Sequence, residues 1–468
     1  MFDFLTVISS VKATLWNDNI LQIKTLFTLI TLLLVPTLIT PAALSQDKPV
    51  AQGLATTTAV DDSYKFESVG EFQVGACKAY SYKMTSQTWQ GTPWTHWLSI
   101  LVPPNVDHAD AAVLFITGGS TNSSQPKADS TEAQLFGVIA TMAKSPIAIL
   151  QQVPNQPLQD GLREDDLIAF TFDKYLTNQG DDWPLLLPMV ESARRAMDTV
   201  STVMTEKAGA AIKRFVISGA SKRGWTTWLT AAADKRVIAI APMVIDMLNM
   251  QPQMEQQIKS YGKFSGQIDP YSKLKIQDRL TTPRGKQLAA IVDPYAYRQS
   301  LTLPKLMVLG TNDPYWTVDA SSLYYPELTG TKHLYYLANA GHGLGASIAP
   351  TVATFFKKSI DGETFEMMKW QHGTDGLFHV KWKGENGQAR LWSATSETRD
   401  FRQSKWTSQD LIGENSIGVN LAAPKSGWIA YYVQVELPGL LAFKYSICTE
   451  IQVRPNKFPF TYPAETPK

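Results

Sequence analysis

Cysteine is nearly absent: a chain of 468 residues holds only Cys77 and Cys448. That excludes a small scaffold stapled by disulfides. With the six histidines scattered, no Cys/His cluster has metal-ligand spacing, and no metal or other cofactor is implied. The two thiols either pair in an oxidising compartment or lie buried apart, and their spacing does not choose between these. An excess of one charge is also lacking. With 43 basic and 42 acidic side chains there is no field to hold nucleic acid or an anionic membrane. No internal repeat or low-complexity tract occurs.

What is present is globular: 44% hydrophobic residues against 18% charged, over a length greater than one core usually serves. Two folded units are expected behind a targeting segment. From Thr25 to Leu44 the chain is almost wholly apolar or small, with Lys24 before it and Pro36 and Pro41 within it. The run ends in Ala43-Leu44-Ser45, which suits signal-peptide cleavage after Ser45. A membrane anchor would need the same stretch of about 20 apolar residues, but the two prolines and the cleavage-like end favour a removed signal (residues 1–45). The mature protein is then periplasmic or secreted, with no stable membrane span.

From residue 46 to about 363, short branched runs alternate with helical patterns. This alternation is the mark of a mostly parallel sheet covered by helices on both faces. The runs lie at Leu98–Val102, Ala112–Ile116, Ile147–Val153, Arg214–Ser218, Val237–Pro242, Leu306–Leu309 and Leu334–Leu337. Val190, Ala193, Met197, Val200 and Met204 form one apolar stripe at helical spacing. A long Gln-rich and Tyr-containing piece, about 247–303, is expected to be a cap inserted over the sheet. Residues 364–468 switch to short β-type runs and turns, which predicts a small all-β sandwich-like domain.

Arg214-Phe215-Val216-Ile217-Ser218 runs into Gly219-Ala220-Ser221-Lys222-Arg223-Gly224, and Trp225, Trp228, Leu229 and Ala232 follow at helical spacing. A strand, a tight turn carrying serine and a helix make a nucleophile elbow, which lifts Ser221 to the end of the sheet at a helix N-terminus. The usual second glycine stands two places after the serine; here Arg223 takes that place and Gly224 follows.

A serine hydroxyl needs a base, and in an α/β-hydrolase fold the partners follow in the order serine, acid, histidine. Gly310-Thr311-Asn312-Asp313-Pro314 leaves one strand and Ala338-Asn339-Ala340-Gly341-His342 the next. His342 would take the Ser221 proton and Asp313 would orient it. Asp246, after Val244-Ile245, is the alternative acid; His333, at the beginning of the strand before His342 and so displaced from the loop tip, reads as structural. Asp319 would support the Asp313 loop. Oxyanion donors are expected from the Lys222 N–H and from Thr117-Gly118-Gly119-Ser120, with Gly119 and Ser120 nearest the substrate. Lys222 and Arg223 either bind substrate or oxyanion, or pair with acids such as Asp165 and Asp166.

The stretch Ser218 to Val237, with Gly310-Thr311-Asn312-Asp313-Pro314-Tyr315-Trp316 and Asn339-Ala340-Gly341-His342, resembles the PhoPQ-activated pathogenicity-related family. The resemblance covers most of the mature chain. It implies an α/β-hydrolase fold and a link to virulence or resistance to antimicrobial peptides, and leaves the reaction undefined. The elbow alone is similar to that of glucuronoyl esterases, which implies oxyanion assistance for Lys222. The expectation is an exported serine hydrolase acting on an ester, amide or peptide substrate. Its rival is a non-catalytic binding or signalling protein on the same scaffold.

Overall fold

In a computed structural model that describes Leu54, residues 60–374 and residues 376–462, three antiparallel strands open the fold. They are β1 (Lys65–Val74), β2 (Cys77–Trp89) and β3 (Thr92–Val102), joined by the two-residue turns Gly75-Ala76 and Gln90-Gly91. Gln90 and Gly91 both have positive φ, 48° and 73°, the backbone of a tight hairpin turn. The expected signal segment and its cleavage at Ser45 lie outside the described residues.

Next come β4 (Ala111–Ile116), α1 (Thr131–Ala143), β5 (Ile147–Leu150), α2 (Glu164–Leu176) and α3 (Leu186–Ala208). The elbow joins β6 (Arg214–Ala220) to α4 (Lys222–Ala233), and β7 (Val237–Met243) follows. The apolar stripe expected on α3 is buried as its spacing requires. The inserted segment is helical: α5 (Met250–Tyr261), α6 (Asp269–Lys273), α7 (Ile276–Arg279) and α8 (Pro283–Val292). One carboxylate ties its ends together, because Asp293 accepts the N–H groups of Asn249 (3.1 Å) and Met250 (2.8 Å) as well as that of Tyr295 (2.9 Å). Then come β8 (Lys305–Gly310), β9 (Lys332–Leu337) and α9 (Ala349–Asp361).

The C-terminal strands are β10 (Met368–His372), β11 (Phe378–Trp382), β12 (Gln388–Ser396), β13 (Thr407–Leu411), β14 (Ser416–Val419), β15 (Trp428–Pro438), β16 (Lys444–Cys448) and β17 (Gln452–Arg454). The main sheet has the order β1-β2-β3-β5-β4-β6-β7-β8-β9-β16-β15-β12-β13, with β17 beside β15. The strands from β5 through β9 in that order are mutually parallel. Both flanks are antiparallel.

Two expectations change here. The sheet is mixed rather than mostly parallel: β1, β2 and β3 are consecutive strands joined by two-residue turns, which pair antiparallel, and the C-terminal strands beyond β9 add antiparallel pairs on the other flank. The C-terminal strands do not stand apart as a sandwich. β16 pairs with β9 at Cys448 and Leu334, so the sheet runs on through β15, β12 and β13, and only β10, β11 and β14 form a second, three-stranded sheet. The pairing gives the β9 edge a hydrogen-bonding partner that it would otherwise lack. All described residues lie in one compact unit, Pro49–Lys468.

Both cysteines are free and buried, so the disulfide alternative falls away. The Cys77 thiol donates to the Gly137 carbonyl at 3.4 Å, and Cys448 Sγ accepts the Tyr336 N–H at 3.4 Å.

Candidate active site

Ser221 sits between β6 and α4 with φ 59° and ψ −125°, a conformation that costs an L-residue energy and persists only where its surroundings enforce it. They do so through two close approaches. A Cβ on Gly219 would stand 2.8 Å from the Arg223 carbonyl oxygen. One on Gly224 would stand 2.8 Å from Ile245 Cγ2 and 2.9 Å from the Met243 carbonyl oxygen. The offset glycine therefore serves contact between α4 and the end of β7. The Ser221 N–H donates to the Met243 carbonyl at 2.9 Å. The Lys222 N–H, beside the hydroxyl, is in the first turn of α4, where amides have no helical acceptor.

Asp313 leaves the end of β8 and His342 the end of β9. The two meet Ser221 in a chain of hydrogen bonds: His342 Nδ1 lies 2.8 Å from Asp313 Oδ2, and His342 Nε2 lies 2.8 Å from Ser221 Oγ. An ionised Asp313 can only accept, which favours the ring proton on Nδ1 and turns the Nε2 lone pair toward the Ser221 hydroxyl. Asp313 is itself held by the Tyr315 N–H, which donates to Oδ1 at 3.0 Å.

Two asparagines that sequence reading passed over hold these loops. The Asn312 side-chain amide donates to the carbonyls of Arg402 (3.2 Å) and Ser404 (2.7 Å). Asn339, at φ 59°, donates to the Trp406 carbonyl at 3.0 Å and accepts the Trp406 N–H at 2.8 Å. The available signal was an asparagine beside each strand end, since asparagine tolerates positive φ and bonds to nearby backbone. Asp319 pairs with Arg399 at 2.6 Å and accepts the Gln256 amide at 3.1 Å.

Asp246, the alternative acid, is not the partner of His342, because both ring nitrogens are already taken. It is buried beside Tyr324, with Oδ1 unpartnered. Burial, opposed by the Tyr324 hydroxyl and aided by the charges of Asp313, Asp319 and Glu450, pushes its carboxyl up to about 7. His333 is structural: burial and then the charge of Lys305 push it down to about 3, and its ring meets Phe365 edge-on at 4.9 Å.

The two cations have different settings. Lys222 Nζ lies 2.7 Å from Asp165 Oδ2, and the same carboxylate accepts the hydroxyls of Tyr271 (3.0 Å) and Tyr315 (3.1 Å). The Tyr315 ring lies 4.4 Å from the His342 ring, so this cluster adjoins the histidine. Arg223 points elsewhere. It forks onto Glu164 at 2.8 and 2.7 Å and donates through Nε to the Val153 carbonyl. Although burial pushes Glu164 up, Arg223 more than offsets this and holds it below its usual range. Glu164, rather than Asp166, is thus the second acid of the pair. Gly118 makes room for this fork, since a Cβ there would stand 2.6 Å from the guanidinium.

Gly119 and Ser120, the expected oxyanion loop, are held chiefly by Gln152. Gly119 borders a separate depression with Gln151 and Gln152, and the Ser120 carbonyl accepts the Gln152 amide at 2.7 Å. Ser221, Lys222 and His342 instead open into a cavity of about 60 Å³ beneath the helical insertion. Its walls include Met247, Met254, Ile276 and Leu280 from that insertion, with Trp225 from α4. Among the described residues no group of three or more His, Cys, Asp or Glu is placed to hold a metal ion, and no helix is long and apolar enough to cross a membrane.

A strand order in which β5 precedes β4, an elbow after β6, and acid and histidine at the ends of later parallel strands define the α/β-hydrolase fold. Within that class, the chain belongs to the PhoPQ-activated pathogenicity-related protein family, whose model matches residues 55–402. A relative is autocrine proliferation repressor protein A of Dictyostelium discoideum, 30% identical over 448 residues that cover 86% of this chain and 90% of that protein. Among solved structures, acetyl xylan esterase 1 from Thermoanaerobacterium sp. is similar with TM-score 0.46 and 14% identity over 66% of this chain and 92% of that one. A glucuronoyl esterase from Solibacter usitatus is similar with TM-score 0.41 and 13% identity over 66% of this chain and 90% of that one.

Proposed function

We propose that the protein is a serine hydrolase that cleaves an ester or amide through an acyl-enzyme. Ser221 Oγ attacks the substrate carbonyl carbon as its proton passes to His342 Nε2, and Asp313 stabilises the imidazolium. The Lys222 N–H faces the developing oxyanion. His342 returns the proton to the leaving group, then activates the water that releases the acyl group. The observation that carries this reading is the pair of 2.8 Å hydrogen bonds linking Asp313, His342 and Ser221 at the mouth of a cavity. We propose further that the enzyme works in the periplasm or outside the cell, as the apolar segment ending at Ser45 suggests, and that its activity serves virulence or resistance to antimicrobial peptides. Labelling of the native protein by a fluorophosphonate probe tests the mechanism. Wild type should be labelled and Ser221→Ala should not; equal labelling of the two, or none of wild type, refutes it.

The second reading, a signalling protein on a hydrolase scaffold, draws on the name of the Dictyostelium relative, an autocrine repressor of proliferation. It requires Ser221→Ala to keep the biological effect in full.

A further inference from the structure

The proposed nucleophile opens into a small cavity with a mostly apolar wall, and the geometry of that wall restricts what it can hold. At about 60 Å³ the cavity is well below the roughly 150 Å³ of an apolar cavity that takes up benzene. Its breadth is set by Trp225, Ile276 and Leu280, all buried. Methionines such as Met254 could yield, but the helix that carries them is pinned. Three glutamines of α5 fasten it to the segment after Asp313: Gln253 donates to the Ala320 carbonyl (3.1 Å), Gln256 to Thr317 Oγ1 (2.8 Å) and Gln257 to the Tyr315 carbonyl (3.1 Å). The Gln-rich run of the sequence is thus a set of fasteners, and together with Asp293 at the root of the insertion it opposes expansion of the cavity.

Charge gives the second restriction. The Lys222 ammonium is matched by Asp165, whose carboxylate already receives Lys222, Tyr271 and Tyr315. The cluster has no charge left over, and an ionised substrate group pressed against the apolar wall would lose its hydration without gaining a partner.

Resting on the serine hydrolase reading, we infer that the acyl group Ser221 takes up, from an ester or an amide, is that of a short, uncharged aliphatic acid of about two to four carbons. Leu280 and Ile276 set the length limit.

The test uses the full-length protein with p-nitrophenyl acetate, butyrate, hexanoate and octanoate, and with the p-nitrophenyl monoester of succinic acid as the charged probe. In wild type, kcat/KM for acetate or butyrate should exceed that for octanoate, and for the succinate monoester, by about tenfold or more. Leu280→Ala should narrow the gap to octanoate by about tenfold, and Ile276→Ala is the second variant should the first not fold. Octanoate matching butyrate in wild type overturns the length limit, and the succinate monoester matching butyrate overturns the charge restriction. If no ester is cleaved while the fluorophosphonate still labels Ser221, the acyl-group assignment is wrong and the serine hydrolase reading stands. If neither occurs, both fall.

Discussion

The two sides of the site are built in different ways. On the serine side the backbone geometry is local: Gly219, Gly224 and the start of α4 create the strained turn, which also leans on the end of β7. On the acid and histidine side the loops after β8 and β9 are tied to residues far along the chain. Asn312 and Asn339 reach Arg402, Ser404 and Trp406, while β9 itself is flanked by β16. The turn that carries Ser221 is thus specified by half a dozen contiguous residues, whereas the loops of Asp313 and His342 are tied to residues of the C-terminal region. The contrast also changes the role of the C-terminal strands. They continue the main sheet rather than forming an appended unit.

Ending the chain at Asp361 should have the largest effect: loss of the folded state, seen as proteolytic sensitivity and loss of fluorophosphonate labelling. A truncated chain that is still labelled at the wild-type rate would break the contrast. Next comes Asn312→Ala combined with Asn339→Ala. Each removes buried hydrogen bonds worth about 1 kcal/mol or somewhat more, and misplacing the base by a fraction of an ångström should slow ester hydrolysis by about 10- to 100-fold. Measured well below the melting temperature, an unchanged kcat would show that the two loops need no tether.

On the opposite side, Gly224→Ala forces a methyl against Ile245 and the Met243 carbonyl. A stability loss of about 1–3 kcal/mol should appear in urea unfolding. A neutral result would mean that the offset glycine is not needed for close packing.

The smallest effect concerns pH. Asp246 has its carboxyl raised from 3.8 to about 7, with burial the main cause. The folded protein therefore holds a proton there that the unfolded chain releases at lower pH. The stabilisation that this proton brings is complete below the unfolded value and is lost as pH rises through about 7. Asp246→Asn should accordingly flatten the fall in melting temperature between about pH 4 and pH 7 by a few degrees. Parallel curves for variant and wild type would place the titration elsewhere, for example at Asp293, which burial pushes up to about 6.

The same division explains what could be read from the residues. Ser221, Asp313 and His342 were legible because small residues or strand ends mark each of them, and chain order links them. The helical insertion was legible from its length and position. The function of Gln253, Gln256 and Gln257 was not, since their acceptors lie more than fifty residues away. β2 was missed because it is buried along nearly its whole length, which removes the alternation that marks a one-sided strand. The docking of β16 on β9 is a pairing between segments remote in sequence, and no local pattern announces it. The passage that Gly118 gives to Arg223 was likewise illegible, because a glycine turn after a strand reads alike whether it serves an oxyanion or makes room for an arginine.

The pairing of β16 with β9 has a consequence in time. A ribosome delivers the elbow long before it delivers Lys444–Cys448, and contacts between remote segments are slow to form. During synthesis the histidine loop has neither its flanking strand nor its tether to Trp406. By this order of events the proposed nucleophile takes shape first and stays without a secured base until the chain is nearly complete, so a half-made hydrolase is also an idle one.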